Sequence, residues 1–115
     1  MPLAVERQDL PVDTSVITLR GKLMLGETAA QLESVVAASL KTGRKNLVFD
    51  LSGVTHIDST GIGRFIDTYS RLGQAGGQMR LAGATGAVRD SFRVTRLDTV
   101  FKFYPTVAIA CEGLN

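Results

Sequence analysis

Apolar residues recur along this chain at two periods, and the switch between them marks out the elements. Val16 to Leu19, inside Thr14-Ser15-Val16-Ile17-Thr18-Leu19-Arg20, is β-branched and apolar enough for a strand. Residues 3–7 can pair with it across residues 9–13 as an opening hairpin. Beyond Gly21, residues 27–41 carry Leu32, Val36 and Leu40 on one helical face with Ala29 and Val35 beside it, and Gly43 marks the helix end. Leu47-Val48-Phe49-Asp50-Leu51 is an apolar run of strand length that the turn signal Ser52-Gly53 closes. Ile62, Phe65, Ile66, Tyr69 and Leu72 then repeat at spacings of three and four, which predicts a helix over 60–74 with one buried face. After the Gly76-Gly77 break come a short strand from Met79 to Ala82, a helix over 86–94 and a last strand from Val100 to Tyr104. Pro105 suits the first turn of a C-terminal helix. Strands alternating with helices imply parallel pairing through right-handed crossovers. The expected fold is a small α/β domain: a mixed, mostly parallel sheet of four to five strands, antiparallel at its start, with about four helices.

Composition narrows the class. At 115 residues, the whole chain 1–115 fits one compact domain. A hydrophobic fraction of 44% with 21% charged residues argues against disorder and against a fibrous architecture. Net charge is only +2, so nucleic-acid binding would need a local patch. The best candidate is Arg89, Arg93 and Arg96 on the predicted helix, which with Asp90 beside it reads as a solvated face or a protein-contact edge. No apolar run approaches the roughly 20 residues of a membrane span, and the first residues lack a charged leader with a hydrophobic stretch, so a cytoplasmic protein is expected. A lone cysteine, Cys111, excludes an internal disulfide and reads as a small core residue.

Candidate chemistry concentrates in His56-Ile57-Asp58-Ser59-Thr60-Gly61-Ile62-Gly63, read as a strand-to-helix loop. Asp, Ser and Thr favour helix starts because their oxygens accept from unpaired N–H groups of the first turn. Beside that capping role stands a sharper one, in which Ser59 presents its hydroxyl at a positive helix end where a phosphoryl group would be stabilised. Gly61 and Gly63 point to a tight turn or a close backbone approach. A serine-nucleophile elbow fails because residue 57 is Ile where Gly is needed and the sole histidine lies in the same loop. An aspartic protease would need Asp-Ser-Gly or Asp-Thr-Gly and a second aspartate, and one His with one Cys makes no metal site. A glycine-rich phosphate cradle remains as a nucleotide-binding alternative, although the P-loop lysine is absent. His56, without partners, reads as structural.

Asp58-Ser59-Thr60-Gly61-Ile62-Gly63 after an apolar strand resembles the signature of STAS domains, specifically bacterial anti-sigma factor antagonists. The resemblance runs on through Gly73-Gln74-Ala75-Gly76-Gly77-Gln78-Met79-Arg80-Leu81, through Ala87-Val88-Arg89 and Val94-Thr95-Arg96-Leu97-Asp98, and to Val100-Phe101, covering roughly 14–112. It implies a non-enzymatic, phosphorylation-switched interaction module without cofactor or metal. By the resemblance, Ser59 is the phosphoacceptor for an anti-sigma factor that is itself a serine kinase. The dephosphorylated protein binds that factor and frees sigma, and a phosphatase resets the phosphorylated form. Partner contacts would fall on Asp58, Thr60, Gly61, Ile62 and Gly63. Many antagonists carry an acidic residue after a Gly-x-Leu segment near this loop, whereas this chain has Gly21-Lys22-Leu23-Met24. Met24, with Leu23 and Leu25, is then either an apolar part of the interface or a continuation of the core. Other STAS proteins act as stressosome scaffolds or as a small subunit of a lipid-transport ATPase.

Overall fold

Successive residues of a strand point to opposite faces of a sheet, and here both faces of the central strands are apolar. The computed structural model describes residues 4–11, 13–24 and 27–114. Five strands, β1 (Ala4–Leu10), β2 (Thr14–Leu23), β3 (Asn46–Ile57), β4 (Gln78–Ala82) and β5 (Lys102–Tyr104), lie side by side in chain order. β1 runs antiparallel to β2, and the other pairs are parallel. The parallel crossovers are the helices α1 (Glu27–Lys41), α2 (Ser59–Gln74) and α3 (Gly86–Val94), and α4 (Val107–Ala110) closes the order. Ile17, Leu19, Phe49 and Leu81 bury one face against Leu32 and Val36 of α1, Phe65 and Leu72 of α2, and Val88 and Phe92 of α3. Their neighbours Val16, Val48 and Ala82 bury the other face against Ala110 and Leu114. Ring contacts of Phe49 with Phe65 at 5.3 Å, Phe65 with Phe92 at 5.8 Å and Phe92 with Phe103 at 5.3 Å tie α2, α3 and the sheet into one block. Each such ring contributes about 1.5–3 kcal/mol by leaving water.

Several expected boundaries move, for identifiable reasons. The expected first strand reached residue 3, which lies outside the described residues, and β1 continues past Arg7 to Leu10. Ser52-Gly53 does not end the third strand, and β2 does not stop at Gly21. Ser52 is caught locally, its N–H and hydroxyl donating to Asp50 Oδ1 at 3.0 and 2.7 Å, yet the chain stays extended through an irregular pairing in which Gly53 meets Arg20. A Cβ on Gly53 would lie 2.8 Å from Arg20 Cγ, so the glycine serves close strand contact here. The outcome is a two-stranded extension, residues 20–23 against 53–57, that carries the chain past the rest of the sheet. The last strand is shorter than expected, since Leu97–Thr99 forms a 3-10 turn. Pro105 stands outside α4, whose N-cap is Thr106, accepting from the Ile109 N–H at 3.2 Å.

Candidate functional site

The extension of β3 delivers the motif to α2 with a single residue between them. His56 and Ile57 belong to the strand, Asp58 is the junction, and Ser59 is already the first helical residue, so the expected loop is absent. Asp58 is held from both sides. Its N–H donates to Leu23 O at 3.3 Å, and its Oδ1 accepts from the Gly61 N–H at 2.9 Å, the N-cap bond of α2. A carboxylate at this end also opposes the helix dipole. With Asp58 capping, Ser59 is left exposed at the first position of a 16-residue helix, and Thr60, expected to begin the helix, follows it half-buried.

The two glycines separate. Neither has a positive φ, so the turn explanation falls away. Gly61 is buried, and a Cβ there would sit 2.6 Å from Leu23 O and 2.9 Å from Ile57 Cγ1. It is the contact point that lets α2 cross closely over the end of β2. Gly63 is exposed, with open space where its Cβ would be.

Asp58, Ser59, Ile62 and Gly63 line one end of a cavity of about 510 Å³ between α2 and α3. Ile57 and Ile66 complete its near wall, and Ala87, Asp90, Ser91, Val94 and Thr95 of α3 and its C-cap form the far one. The far wall has no counterpart in the sequence motif. Helical periodicity puts Ile66 and Tyr69 on the buried face of α2, but they are 47% and 43% exposed, and the buried positions are Gly61, Ile62, Phe65, Thr68 and Leu72. Thr68 is accommodated because its hydroxyl donates to Arg64 O at 2.7 Å. Val94, 80% exposed, stands across the groove from Ile66. The one sequence signal was a stripe of apolar residues on α2 wider than one packed face needs.

Met24 follows directly on Leu23, whose carbonyl holds Asp58, so the segment expected beside the motif does lie there. The apolar run divides. Leu23 is fully buried, Met24 is 38% exposed, and Leu25 and Gly26 lie outside the described residues. The expected arginine face also divides. Arg89 lies over the Phe103 ring at 3.9 Å, Arg93 donates to Asp90 at 2.5 Å, and Arg96 is past the end of α3 with φ 61°. His56 Nδ1 lies 2.9 Å from Thr55 Oγ1. Cys111 is half-buried at the edge of the smaller cluster, and burial raises its thiol pKa. No three His, Cys, Asp or Glu side chains gather as a metal site among the described residues, and no described helix is long and apolar enough to cross a membrane.

Comparison with known proteins bears on what this junction belongs to. A family model described as STAS domain matches residues 3–110. The anti-sigma-B factor antagonist of Staphylococcus aureus is 29% identical over 70 residues, 61% of this chain and 65% of that protein. The chain thus spans a little under two thirds of the length of that curated relative. The crystal structure of an anti-sigma factor antagonist from Mycobacterium paratuberculosis superposes with a TM-score of 0.82 at 30% identity, covering 94% of this chain and 90% of that one. The Bacillus cell fate determinant SpoIIAA, in its phosphorylated form, shares the fold at a TM-score of 0.77 and 18% identity over 97% of this chain and all of that one. A five-stranded mixed sheet with its crossover helices, the capped Asp58-Ser59 junction and a family match over nearly the whole chain agree, and the chain belongs to the STAS domain family.

Proposed function

We propose that this protein is an anti-sigma factor antagonist, a cytoplasmic interaction module switched by phosphorylation of Ser59. The observation that carries the reading is the placement of the Ser59 hydroxyl. It is exposed, relieved of capping by Asp58, and set on the rim of an apolar groove. A kinase partner would transfer the γ-phosphoryl of ATP to Ser59 Oγ, breaking the bond to the β-phosphate oxygen, releasing ADP and taking up the hydroxyl proton. The product carries about −1.5 to −2 charges beside Asp58. In the free protein that charge stays in water at a favourable helix end, whereas a partner surface shaped for a neutral hydroxyl would have to desolvate it. Binding should fall at least about tenfold, or about 1.4 kcal/mol, without unfolding. A phosphatase then resets the switch. Names of relatives support the antagonist role: anti-sigma-B factor antagonist for one and anti-sigma factor antagonist for another.

The test is a pull-down from native cytosol with partner identification, comparing wild type with Ser59→Glu, followed by calorimetry on the purified partner and phosphopeptide mass spectrometry. A kinase-like anti-sigma factor that binds the wild type and loses Ser59→Glu supports the reading. A stressosome assembly or a lipid-transport ATPase recovered instead assigns one of the other STAS roles. Phosphate on Thr60 displaces Ser59, and calorimetric binding of GTP or ATP favours the nucleotide switch.

Met24 belongs to the partner surface in this reading, together with Asp58, Thr60, Ile62 and Gly63. Its exposure argues against a core role, for which truncation to Ala would cost about 2–5 kcal/mol. Met24→Asp should leave stability within about 0.5 kcal/mol and change affinity for the purified partner. Wild-type affinity in the folded mutant removes Met24 from the interface.

A further inference from the structure

We propose that Arg93 receives the phosphoryl group of Ser59 across the mouth of the α2–α3 groove, so that phosphorylation draws a cover over the apolar surface next to it. The inference rests on Ser59 being the phosphoacceptor. Ser59 and Asp90 line one cavity from opposite helices. Arg93 does not line the cavity itself, but its Nη2 donates to Oδ1 of the lining residue Asp90 at 2.5 Å, and its chain neighbour Val94 is a lining residue too. That pair is exposed, with side chains 68% and 55% accessible, and exposed pairs three residues apart on a helix are weakly held. A phosphoryl group offers three strong acceptor oxygens and nearly two charges, which the planar guanidinium fork matches better than a single carboxylate oxygen.

The surrounding charges sharpen the choice. Asp58 on the same junction and Asp90 on α3 are both acidic, so a phosphorylated Ser59 would place three negative groups around one cavity. Arg93 is the cation tied to that rim. Lys22 and His56 lie opposite each other one step before the Leu23–Ile57 end of the strand extension, on the sheet side of the junction and not on α3. Reaching toward Ser59 would lay the methylene stem of Arg93 over its neighbour Val94 and toward Ile66, since long cationic side chains cover apolar surface while keeping the charge wet. The switch would then act twice, by repelling the partner at Ser59 and by covering the groove beside it.

The experiment installs phosphoserine at position 59 of the full chain by genetic encoding, so that it does not depend on any kinase. A ³¹P titration reads the second phosphate pKa, ordinarily about 6. A nearby cation favours the dianion and lowers it. Arg93→Gln should raise that pKa by about half a unit or more, roughly a threefold change in proton affinity; Arg93→Lys should retain part of the effect, and Lys22→Gln should leave it unchanged. Phosphorylation should also shift the Val94 and Ile66 methyl resonances in wild type and much less in Arg93→Gln. Position 93 is exposed, so the variants fold, and melting curves verify it. An Arg93→Gln phosphoprotein that titrates like wild type overturns the proposal, as does a pKa that follows Lys22 instead. If natural kinases leave Ser59 unmodified, the proposed function fails while this measurement still reads Arg93.

Discussion

The two ends of the sheet are built on opposite principles. At the end where β2 and β3 begin, polar groups are tied to one another. Arg7 donates to Asp9 at 2.8 Å and to Thr42 at 3.0 Å, Ser15 donates to Asp9 at 2.6 Å, Asn46 donates to Asp13 at 3.1 Å, and Arg44 donates to the carbonyls of Leu10 and Thr14. These bonds fasten the β1–β2 turn to the passage from α1 into β3. At the other end, where β3 runs out, Asp58 caps α2 and holds to the Leu23 carbonyl, and beyond it lie an exposed hydroxyl, Ile66 and Val94. A partner at the first end would have to compete with bonds already made. At the second it would cover apolar surface that water now touches, which is the stronger drive for association. In the proposed reading, stability and recognition fall at opposite ends of the same strands.

Gly61→Ala tests whether the recognition end also carries structure, and it should show the largest effect. Its Cβ would lie 2.6 Å from a backbone oxygen that cannot swing aside, so α2 must shift, at a cost of about 1–3 kcal/mol in urea unfolding. An unchanged midpoint would mean that the crossing of α2 over β2 is loose. The motif pattern suggests that both glycines serve partner approach more than the core, and the packing gives Gly61 a structural role as well.

Gly63→Ala should do the opposite. With open space around the new methyl, an exposed helical position gains about 0.8–1 kcal/mol from helix propensity while the groove floor is narrowed. Higher stability with weaker partner binding would separate the two glycines cleanly. Higher stability with unchanged binding would take Gly63 out of recognition.

Acid should loosen the tied end first, and by the smallest amount. Hydrogen bonds from Arg7 and Ser15 hold the Asp9 carboxyl at about 2 instead of 3.8. A folded value below the unfolded one means that the stabilisation is complete above about pH 4 and is lost as pH falls toward 2. Asp9→Asn should therefore show a flatter stability profile between pH 5 and 2 than wild type, with little difference in the chemical shifts around Ser59. A profile as steep as wild type would assign the acid sensitivity to other carboxylates.

Local chemistry alone determined much of this protein: the order of strands and helices, the amphipathic helix after Leu51, and the glycine stops after α1 and α2 at Gly43 and Gly76, both at positive φ. Each of these depends on residues a few positions apart, which is the range over which periodicity and capping act. Only the tertiary structure decided which part of the apolar stripe on α2 is covered. Phe65 and Leu72 are buried by the sheet and α3, whereas Ile66 faces a groove whose other wall comes from Val94, 28 positions later in the chain. The role of Gly61 was hidden for the same reason, since the atom that forbids a side chain there is the carbonyl of Leu23, on a strand that reaches it only because β2 and β3 continue past their turn signals. Contacts of that range depend on how elements pack, and helical or strand periodicity carries no record of them.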